Sequence, residues 1–289
     1  MDNKRIEHLE KELKQLLQVD VEYKKVAKLN MTSKDAFICG NGRLRATIYF
    51  DPGWSDEFIV HNVQKSYAGA DPCVTHIDEV AVARLNDREY VLEHVERSVI
   101  GTKLNKDILQ RCVHREYLDL SVIYKVILTK CEQCRSAVTI TNDLAESLGL
   151  TMEDLEHASI RNQGVECYVT ASMQKILVEA GAVPEEMQTI NYDEFYPMYV
   201  ISTTDGIDGA SSILHTSLFA GLAKTLDSDL YILPSSVDEL ICVPVQGQPA
   251  YFFREMVASV NHSAVEADKI LGSNIYIYKR RTKVISIAE

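Results

Sequence analysis

Residues 198–245 read MYVISTTDGIDGASSILHTSLFAGLAKTLDSDLYILPSSVDELICVPV, and this stretch decides the fold. Its apolar periodicity predicts a strand, a helix at 210–226 and two further strands at 230–234 and 239–245. A second helix is predicted at 250–260, with two short strands near the terminus. This β-α-β-β-α-β order predicts a compact unit in which two helices bury one face of a sheet.

The rest of the chain extends this pattern to an α+β protein with mixed or antiparallel sheets and packed helices. We predict a small α/β N-terminal lobe at 1–72 and a central α+β region at 73–183. An acidic, aromatic linker is predicted at 184–197, because long loops between elements are uncommon within a compact domain. The C-terminal β-α-β-β-α-β unit then occupies 198–289.

Three local patterns in the central region carry structural predictions. Apolar residues recur at helical spacing over 87–103, which predicts a helix there with Asp87 at its start. Residues 73–87 fit a helix and a strand equally well. The sequence Thr-Met-Glu-Asp at 151–154 has the spacing of a capping box and predicts the start of another helix.

Charge excludes one class of function. The chain of 289 residues has a formal net charge of −12, and its acidic residues are spread along the whole length. Proteins that bind a phosphate backbone need a basic footprint, so direct nucleic-acid binding is not expected. The same charge permits contact with a basic partner, although it also serves solubility.

Apolar runs and cysteines indicate the compartment. No run approaches the 18–20 apolar residues, roughly, that span a bilayer, so no membrane partner is predicted. The N-terminus starts as a charged amphipathic helix, which is unlike a signal peptide. The seven cysteines are odd in number and mostly far apart, as is typical of reduced thiols. We predict a cytoplasmic protein.

A resemblance to known proteins rests on four segments. They read RCVHREYLDL (111–120), LGLTMEDL (148–155), MYVI (198–201) and SDLYILPSSVDE (228–239). Together they resemble the bacterial proteins grouped as domain of unknown function 5688, and the resemblance extends over about residues 90–289. It implies a fold and a bacterial cytoplasmic setting, and it implies no catalytic residue.

The turn at 205–212 is the strongest candidate for chemistry. It also resembles, more remotely, a pattern of a second family of unknown function numbered 1444. Backbone N–H groups at the start of a helix favour an anion, and Ser211 adds a hydroxyl donor. Asp205 and Asp208 would repel that anion unless a metal ion bridged them, so they are candidate metal ligands. Alternatively, Asp208 or Ser211 caps the helix and the glycines turn the chain.

Histidines supply the remaining catalytic candidates. His215 lies one turn into the predicted helix and is a candidate base for Ser211, with Asp205 as the third member of a triad. However, the turn lacks the Gly-x-Ser-x-Gly elbow that usually presents such a serine. His114 and Asp119 stand near the start of a long strand, but their odd separation places them on opposite faces. An exposed strand start, with Arg115 paired to a carboxylate, is the alternative.

A Cys-x-x-Cys pair raises the question of a cofactor. Cys131 and Cys134 have zinc or redox spacing, but no second cysteine or histidine pair stands nearby at suitable spacing. We interpret them as two cysteines of a hairpin turn, and we predict no cofactor.

Exposed aromatic residues beside acidic ones are typical of a surface that anchors a protein partner. Tyr192, Phe195 and Tyr196 combine these properties in the predicted linker, and they are the candidate partner-binding residues. The alternative is a linker whose rings are tucked into the core.

The residues favour a non-enzymatic protein-binding or regulatory function, with another protein as the partner. The alternative is a metal-assisted hydrolase or phosphate-handling enzyme centred on Asp205 and Asp208, with Asp238 or His114 joining the site. A third possibility is an acidic mimic or inhibitor of nucleic-acid binding, which needs its acidic residues on one face.

Overall fold

The structure is a computed structural model of the chain, and it describes residues 1–41, 45–76, 79–131, 134–183 and 197–289. The helices are α1 (Asn3–Leu17), α2 (Asp56–His76), α3 (Glu79–Ala83), α4 (Arg88–His94), α5 (Lys106–Leu109), α6 (Asn142–Ser147), α7 (Met152–Asn162), α8 (Met173–Glu179), α9 (Thr216–Thr225) and α10 (Ala250–Ser263). The strands are β1 (Val21–Lys28), β2 (Met31–Cys39), β3 (Ala46–Tyr49), β4 (Val95–Gly101), β5 (His114–Tyr117), β6 (Leu120–Cys131), β7 (Cys134–Thr139), β8 (Tyr168–Ser172), β9 (Tyr199–Thr203), β10 (Leu230–Ser236), β11 (Glu239–Pro244), β12 (Tyr276–Lys279) and β13 (Val284–Ile287).

These elements confirm the predicted α+β class. Every strand pair in the described part of the chain is antiparallel, and the strands form three sheets. Within the same residues, no helix combines the length and the apolar character needed to cross a membrane.

The N-terminal sheet has the order β1-β2-β3 and its own apolar core. Leu9 and Leu13 of α1 and Ile59 and Val63 of α2 are fully buried against it. Arg5 joins the two helices, because its guanidinium donates to Asp56 and to backbone carbonyls of residues 52 and 54.

The second sheet is built around β6. Strand β4 pairs along one side of β6, while β5 and β7 pair with successive parts of its other side. Strand β4 is therefore an edge strand, and α7 packs beside it. The predicted capping box of α7 is confirmed, since Thr151 and Asp154 exchange side-chain and backbone hydrogen bonds.

The helix predicted at 87–103 is wrong beyond its first turns. Asp87 does cap a helix by accepting from the backbone N–H groups of residues 89 and 90, but α4 ends at His94. The chain continues as β4, where Val95, Val99 and Ile100 are buried. The apolar residues here are spaced by three and four, which is also the spacing of a helix face. Pairing with β6 makes the segment extended instead, a conformation that β-branched valine and isoleucine favour. The described part of 73–87 is mostly helical.

The third sheet has the order β13-β12-β10-β11-β9-β8 and contains the predicted β-α-β-β-α-β unit. Helices α9 and α10 lie on opposite faces of this sheet, so the expectation that both cover one face is wrong. Phe219 of α9 packs near Tyr278, whereas Phe253 of α10 packs near Tyr231 on the other face. Alternation along β10 supplies both faces with apolar side chains.

Strand β8 belongs to this sheet although it precedes the predicted linker in the sequence. Its residues pair with β9 from Tyr168↔Thr203 to Ser172↔Tyr199, so the sheet includes chain from before residue 184. The predicted boundaries of the lobe, central region, linker and C-terminal unit stay predictions.

Candidate functional site

The turn at 205–215 lies against the open edge of β4. Gln163, just beyond α7, occupies part of this edge because its side-chain amide bonds to both backbone groups of Arg97. Arg97 N donates to Gln163 Oε1 at 3.1 Å, and Gln163 Nε2 donates to Arg97 O at 3.2 Å. A side chain thus takes the place of a neighbouring strand at this position.

Asp208 lies at the centre of a buried group of charges. It is 5% exposed, and its Oδ1 accepts from Lys125 Nζ at 2.7 Å and from Ser98 Oγ at 2.6 Å. Burial by itself would raise the pKa of Asp208, but the attraction of Lys125 and the hydrogen bonds it receives hold that pKa below its usual value. Asp208 is therefore a carboxylate stabilised by its partners.

Asp205 joins the same group through Arg135. Arg135 is 3% exposed at its side chain; its Nη1 lies 3.2 Å from Asp205 Oδ2 and its Nη2 contacts Glu96. Lys130 Nζ lies 3.2 Å from the same Asp205 oxygen. Burial opposes ionisation of Asp205, yet hydrogen bonds and these two cations hold its pKa below the usual value.

Asp238 completes the group, which we term the ion cluster. Its Oδ1 accepts from the backbone N–H of Asp208 at 3.0 Å, and its Oδ2 lies 2.5 Å from Lys269 Nζ. Gly209 permits this approach, because a Cβ there would lie 2.1 Å from the backbone oxygen of Asp238. The cluster contains four carboxylates and four cations: Glu96, Asp205, Asp208, Asp238, Lys125, Lys130, Arg135 and Lys269.

This arrangement bears on the predicted metal ligands. Asp205 and Asp208 do converge, and Asp238 is beside them, but N–H donors already occupy their oxygens. Within the described ranges, no three His, Cys, Asp or Glu residues form a group able to hold a metal ion. A divalent cation at this position would have to displace Lys125 or Arg135.

A second buried group adjoins the ion cluster. We term it the Arg97 cluster, and it consists of Arg97, Gln163, Tyr168, Ser211 and His215. Arg97 is 3% exposed, and its Nη2 lies 2.7 Å from Nε2 of His215. Nε2 must be unprotonated to accept this bond. Burial and the positive charge of Arg97 together lower the pKa of His215 to about 4. His215 is thus a neutral acceptor at physiological pH.

Ser211 is fully buried in the Arg97 cluster. Its Oγ donates to the backbone oxygen of Asp208 at 2.6 Å and lies 2.8 Å from Tyr168 Oη and 3.3 Å from Gln163 Nε2. Burial raises the pKa of Tyr168 to about 12, so this phenol stays protonated. Because the hydrogen bonds of Ser211 and His215 go to different groups, the structure does not assemble Ser211, His215 and Asp205 as a triad.

The backbone of the turn also departs from prediction. The helix predicted at 210–226 is divided into a 3-10 turn at Gly209–Leu214 and α9, with His215 between them. Neither Asp208 nor Ser211 caps a helix with its side chain. The carboxylate of Asp208 reaches Lys125 instead, and the backbone of Asp208 is left-handed with φ 58°.

His114 lies apart from these groups. Its Nδ1 is 3.0 Å from the backbone oxygen of Cys112, while Asp119 accepts from Asn274 and Tyr276. The predicted pairing of Arg115 with a carboxylate is confirmed, since its guanidinium bonds to both oxygens of Glu156.

Sequence reasoning missed Arg97, Gln163, Glu156, Tyr168 and Lys125. Glu156 accepts from Arg115 and from Tyr124, and it lies 4.0 Å from Arg97. One signal was available for Arg97, because it stands between the apolar residues of a segment otherwise suited to burial. Gln163 and Tyr168 carried no such signal.

A different region offers an accessible cavity. It has a volume of about 410 Å³ and lies between α10 and the adjacent strands; we term it the α10 groove. Its lining is mainly apolar and includes Met198, Leu233, Val243, Phe252, Phe253 and Met256. Phe252 and Met256 are 43% and 40% exposed, so this surface is open to solvent.

The predicted partner-binding residues Tyr192, Phe195 and Tyr196 lie outside the described residues, as do the side chains of Cys131 and Cys134. Pro197, the first described residue after Tyr192, Phe195 and Tyr196, lines the α10 groove.

Comparison with known proteins identifies a family. Residues 3–280 match the sequence model of a family described as "Family of unknown function (DUF5688)". The match confirms the resemblance and extends it through the N-terminal lobe. The more remote resemblance to family 1444 stays a prediction. No curated protein and no solved structure matched this sequence.

Proposed function

The chain belongs to the Family of unknown function (DUF5688), and we propose that it is a non-enzymatic protein-binding protein. Its α10 groove receives an apolar, helix-forming segment of a partner protein. The proposal includes the bacterial cytoplasmic setting that the resemblance implies. Free thiols at Cys39, Cys112 and Cys242, all buried, support a reducing compartment.

The carrying observation is the exposed apolar surface of α10. Tyr251, Phe252, Met256 and Val260 are each at least 40% exposed, whereas any other described helix or strand carries at most two large apolar residues of this kind. Phe252, Met256 and Val260 are four residues apart and form one stripe about 12 Å long. Apolar residues scattered singly need no explanation, but a contiguous patch marks an interaction site.

The chemistry of the groove favours a helical segment as its occupant. None of its lining residues is charged, and two methionines and two phenylalanines provide adaptable apolar contacts. An amphipathic helix presents apolar side chains at spacings of three and four along one face. Such a face can lie along α10, with its apolar side chains in the groove and against the exposed stripe of α10. The partner therefore contributes two or three apolar anchors from one face of a short helix.

A foreign partner fits better than a second copy of this chain. Glu255 is exposed on α10 between Phe252 and Met256. In a two-fold contact of α10 with its own copy, the same surface patch meets itself, so a contact centred on Glu255 would bring the two glutamates together. Like charges at that distance oppose association, and each chain already carries a net charge of −12.

The hydrolase alternative has weaker support. The convergence of Asp205 and Asp208 favours it, but Lys125 and Arg135 neutralise both carboxylates. The acidic-mimic alternative needs free carboxylates on one face, whereas those of the ion cluster are paired with cations.

The test is a display selection of random peptides of about 16 residues against the purified chain, followed by affinity measurement on the enriched peptides. We expect enriched peptides with apolar residues at helical spacing. Phe252→Ser and Met256→Ser should each weaken binding by about tenfold or more, because buried apolar anchors dominate such interfaces. Ile160→Ser is the matched control, since Ile160 is 48% exposed on α7.

Two results would overturn the proposal. One is the absence of enriched peptides, or equal binding by wild type and Phe252→Ser. The other is a dimer, measured by light scattering, that Phe252→Ser dissociates, because the stripe would then serve self-association.

A further inference from the structure

The turn between β12 and β13 concentrates positive charge in an acidic chain. Residues 279–283 read Lys-Arg-Arg-Thr-Lys, and all five are exposed. A hydrogen bond from Lys283 N to Lys279 O, 2.8 Å long, closes the turn. We term this segment the basic hairpin.

Most of this charge is not used inside the molecule. Arg280 pairs with Asp227 at 2.7 Å, and its backbone N–H donates to Asp229. Among the residues that the structure describes, Lys279, Arg281 and Lys283 have no carboxylate within ion-pair distance. Three cations therefore remain available on a turn of defined backbone geometry.

The basic hairpin borders an open cavity of about 630 Å³. Arg280 and Arg281 line one side, and residues 227–229 with Val245 line the other. Val245 also packs into the apolar cluster beneath α10, and its neighbours Pro244 and Gln246 line the α10 groove. The cavity beside the basic hairpin thus adjoins the apolar groove at the end of β11.

We propose that the basic hairpin binds acidic side chains that flank the apolar anchors of the segment held in the α10 groove. This inference rests on the proposed function and adds the charge of the partner. Arginine forms paired hydrogen bonds with a carboxylate, and cations at the rim of an interface select the orientation of an incoming acidic segment. The partner segment is accordingly amphipathic, with aspartate or glutamate clustered at one end.

Protein carboxylates suit this surface better than a nucleic-acid backbone. Asp227 and Asp229 border the same cavity and repel a continuous row of phosphates. Separate carboxylates on a flexible segment can reach Lys279, Arg281 and Lys283 while avoiding these two acids.

The experiment uses the peptides selected above and a double variant, Arg281→Glu with Lys283→Glu. We expect wild-type selections to be enriched in acidic residues at one end of the apolar motif. The double variant should bind these peptides about tenfold more weakly or worse, and binding by wild type should weaken as NaCl rises from about 50 to about 300 mM. A second double variant, Lys103→Glu with Lys106→Glu, is the control, because it makes the same change in charge at two exposed lysines outside both cavities.

The outcomes separate the two proposals. Peptides with the apolar motif but no acidic bias would overturn this inference and leave the protein-binding function intact. Equal binding of acidic peptides by wild type and the double variant would also overturn it. Loss of binding in Phe252→Ser, with binding retained in the double variant, would support the groove and overturn the inference about the basic hairpin. Binding of a random single-stranded or duplex DNA probe that needs Arg281 and exceeds peptide binding would assign the hairpin to nucleic acid instead.

Discussion

The turn at 205–215 and helix α10 belong to the same C-terminal unit, yet the turn buries polar side chains whereas α10 exposes apolar ones. Asp208 and Ser211 of the turn are polar residues that are buried and hydrogen-bonded. Apolar residues of α10 are exposed, as Phe252 and Met256 show. The difference teaches that residue type suggests chemistry, whereas burial and pairing decide whether a group is available for it.

The largest expected effect is at the ion cluster. Asp208→Asn keeps the shape of the side chain and tolerates the positive φ, but it leaves the partly buried Lys125 without its paired carboxylate and a buried amide among cations. We expect the free energy of unfolding, measured by urea titration, to fall by about 3–5 kcal/mol.

Asp227→Asn is the matched control for this substitution. Asp227 also has a positive φ and an ion pair, but its side chain is 90% exposed. We expect a loss below about 0.5 kcal/mol. Equal losses at both positions would erase the distinction between the buried turn and the surface.

The next effect depends on pH. The pKa of His215 is about 4 in the folded chain and about 6.5 when unfolded, so the unfolded state binds more protons between these values. Stability from neutral His215 is complete above about pH 6.5 and is lost as the pH falls toward 4.

His215→Gln should remove this part of the acid sensitivity, because glutamine still accepts from Arg97 but does not titrate. Wild type should lose up to about 3 kcal/mol more than the variant between pH 6.5 and pH 4, measured by urea titration at each pH. Parallel stability curves for the two proteins would show that the contact of His215 with Arg97 does not control its protonation.

A smaller loss is expected at the edge of β4. Gln163→Ala leaves the backbone N–H and carbonyl of Arg97 without their partner, at a cost of about 2 kcal/mol in unfolding free energy. Gln110→Ala, at an exposed side chain, should change stability by less than about 0.5 kcal/mol. A neutral Gln163→Ala would mean that water replaces the amide.

The smallest effect on stability is expected at α10. Phe252→Ser and Met256→Ser should each change the unfolding free energy by less than about 0.5 kcal/mol, because both residues lie exposed at the surface and outside the core. Phe219→Ala, at a fully buried ring of α9, should cost about 3–5 kcal/mol in the same urea titration. A large loss at Phe252 would place it in the core and remove the contrast.

Local patterns predicted much of the fold. Alternation in β10 and β11 and the Thr151 capping box are properties of neighbouring residues, so one sequence is enough to reveal them. Strand β4 was mistaken for a helix because its partner, β6, begins almost twenty residues beyond its end. Pairing over such separations overrides local periodicity.

The site was predictable only in part, for the same reason. The sequence of the turn indicated Asp208 as a candidate. Lys125, which neutralises Asp208, is 83 residues away in the sequence, and Ser98, which donates a hydrogen bond to it, is 110 residues away. On α10, Val257 is 7% exposed and Met256 is 40% exposed, although both are apolar neighbours. Only the position of the helix on the sheet distinguishes them.

Hydrogen bonding between β8 and β9 holds together the two parts of the chain on either side of residues 184–196. A single backbone cleavage within that interval would leave five residue pairs of the sheet intact, from Tyr168↔Thr203 to Ser172↔Tyr199. Gln163 and Ser211, on opposite sides of the cut, would still be bonded. We therefore expect the two fragments of a chain cut within this interval to stay associated, which size-exclusion chromatography of the nicked protein would measure.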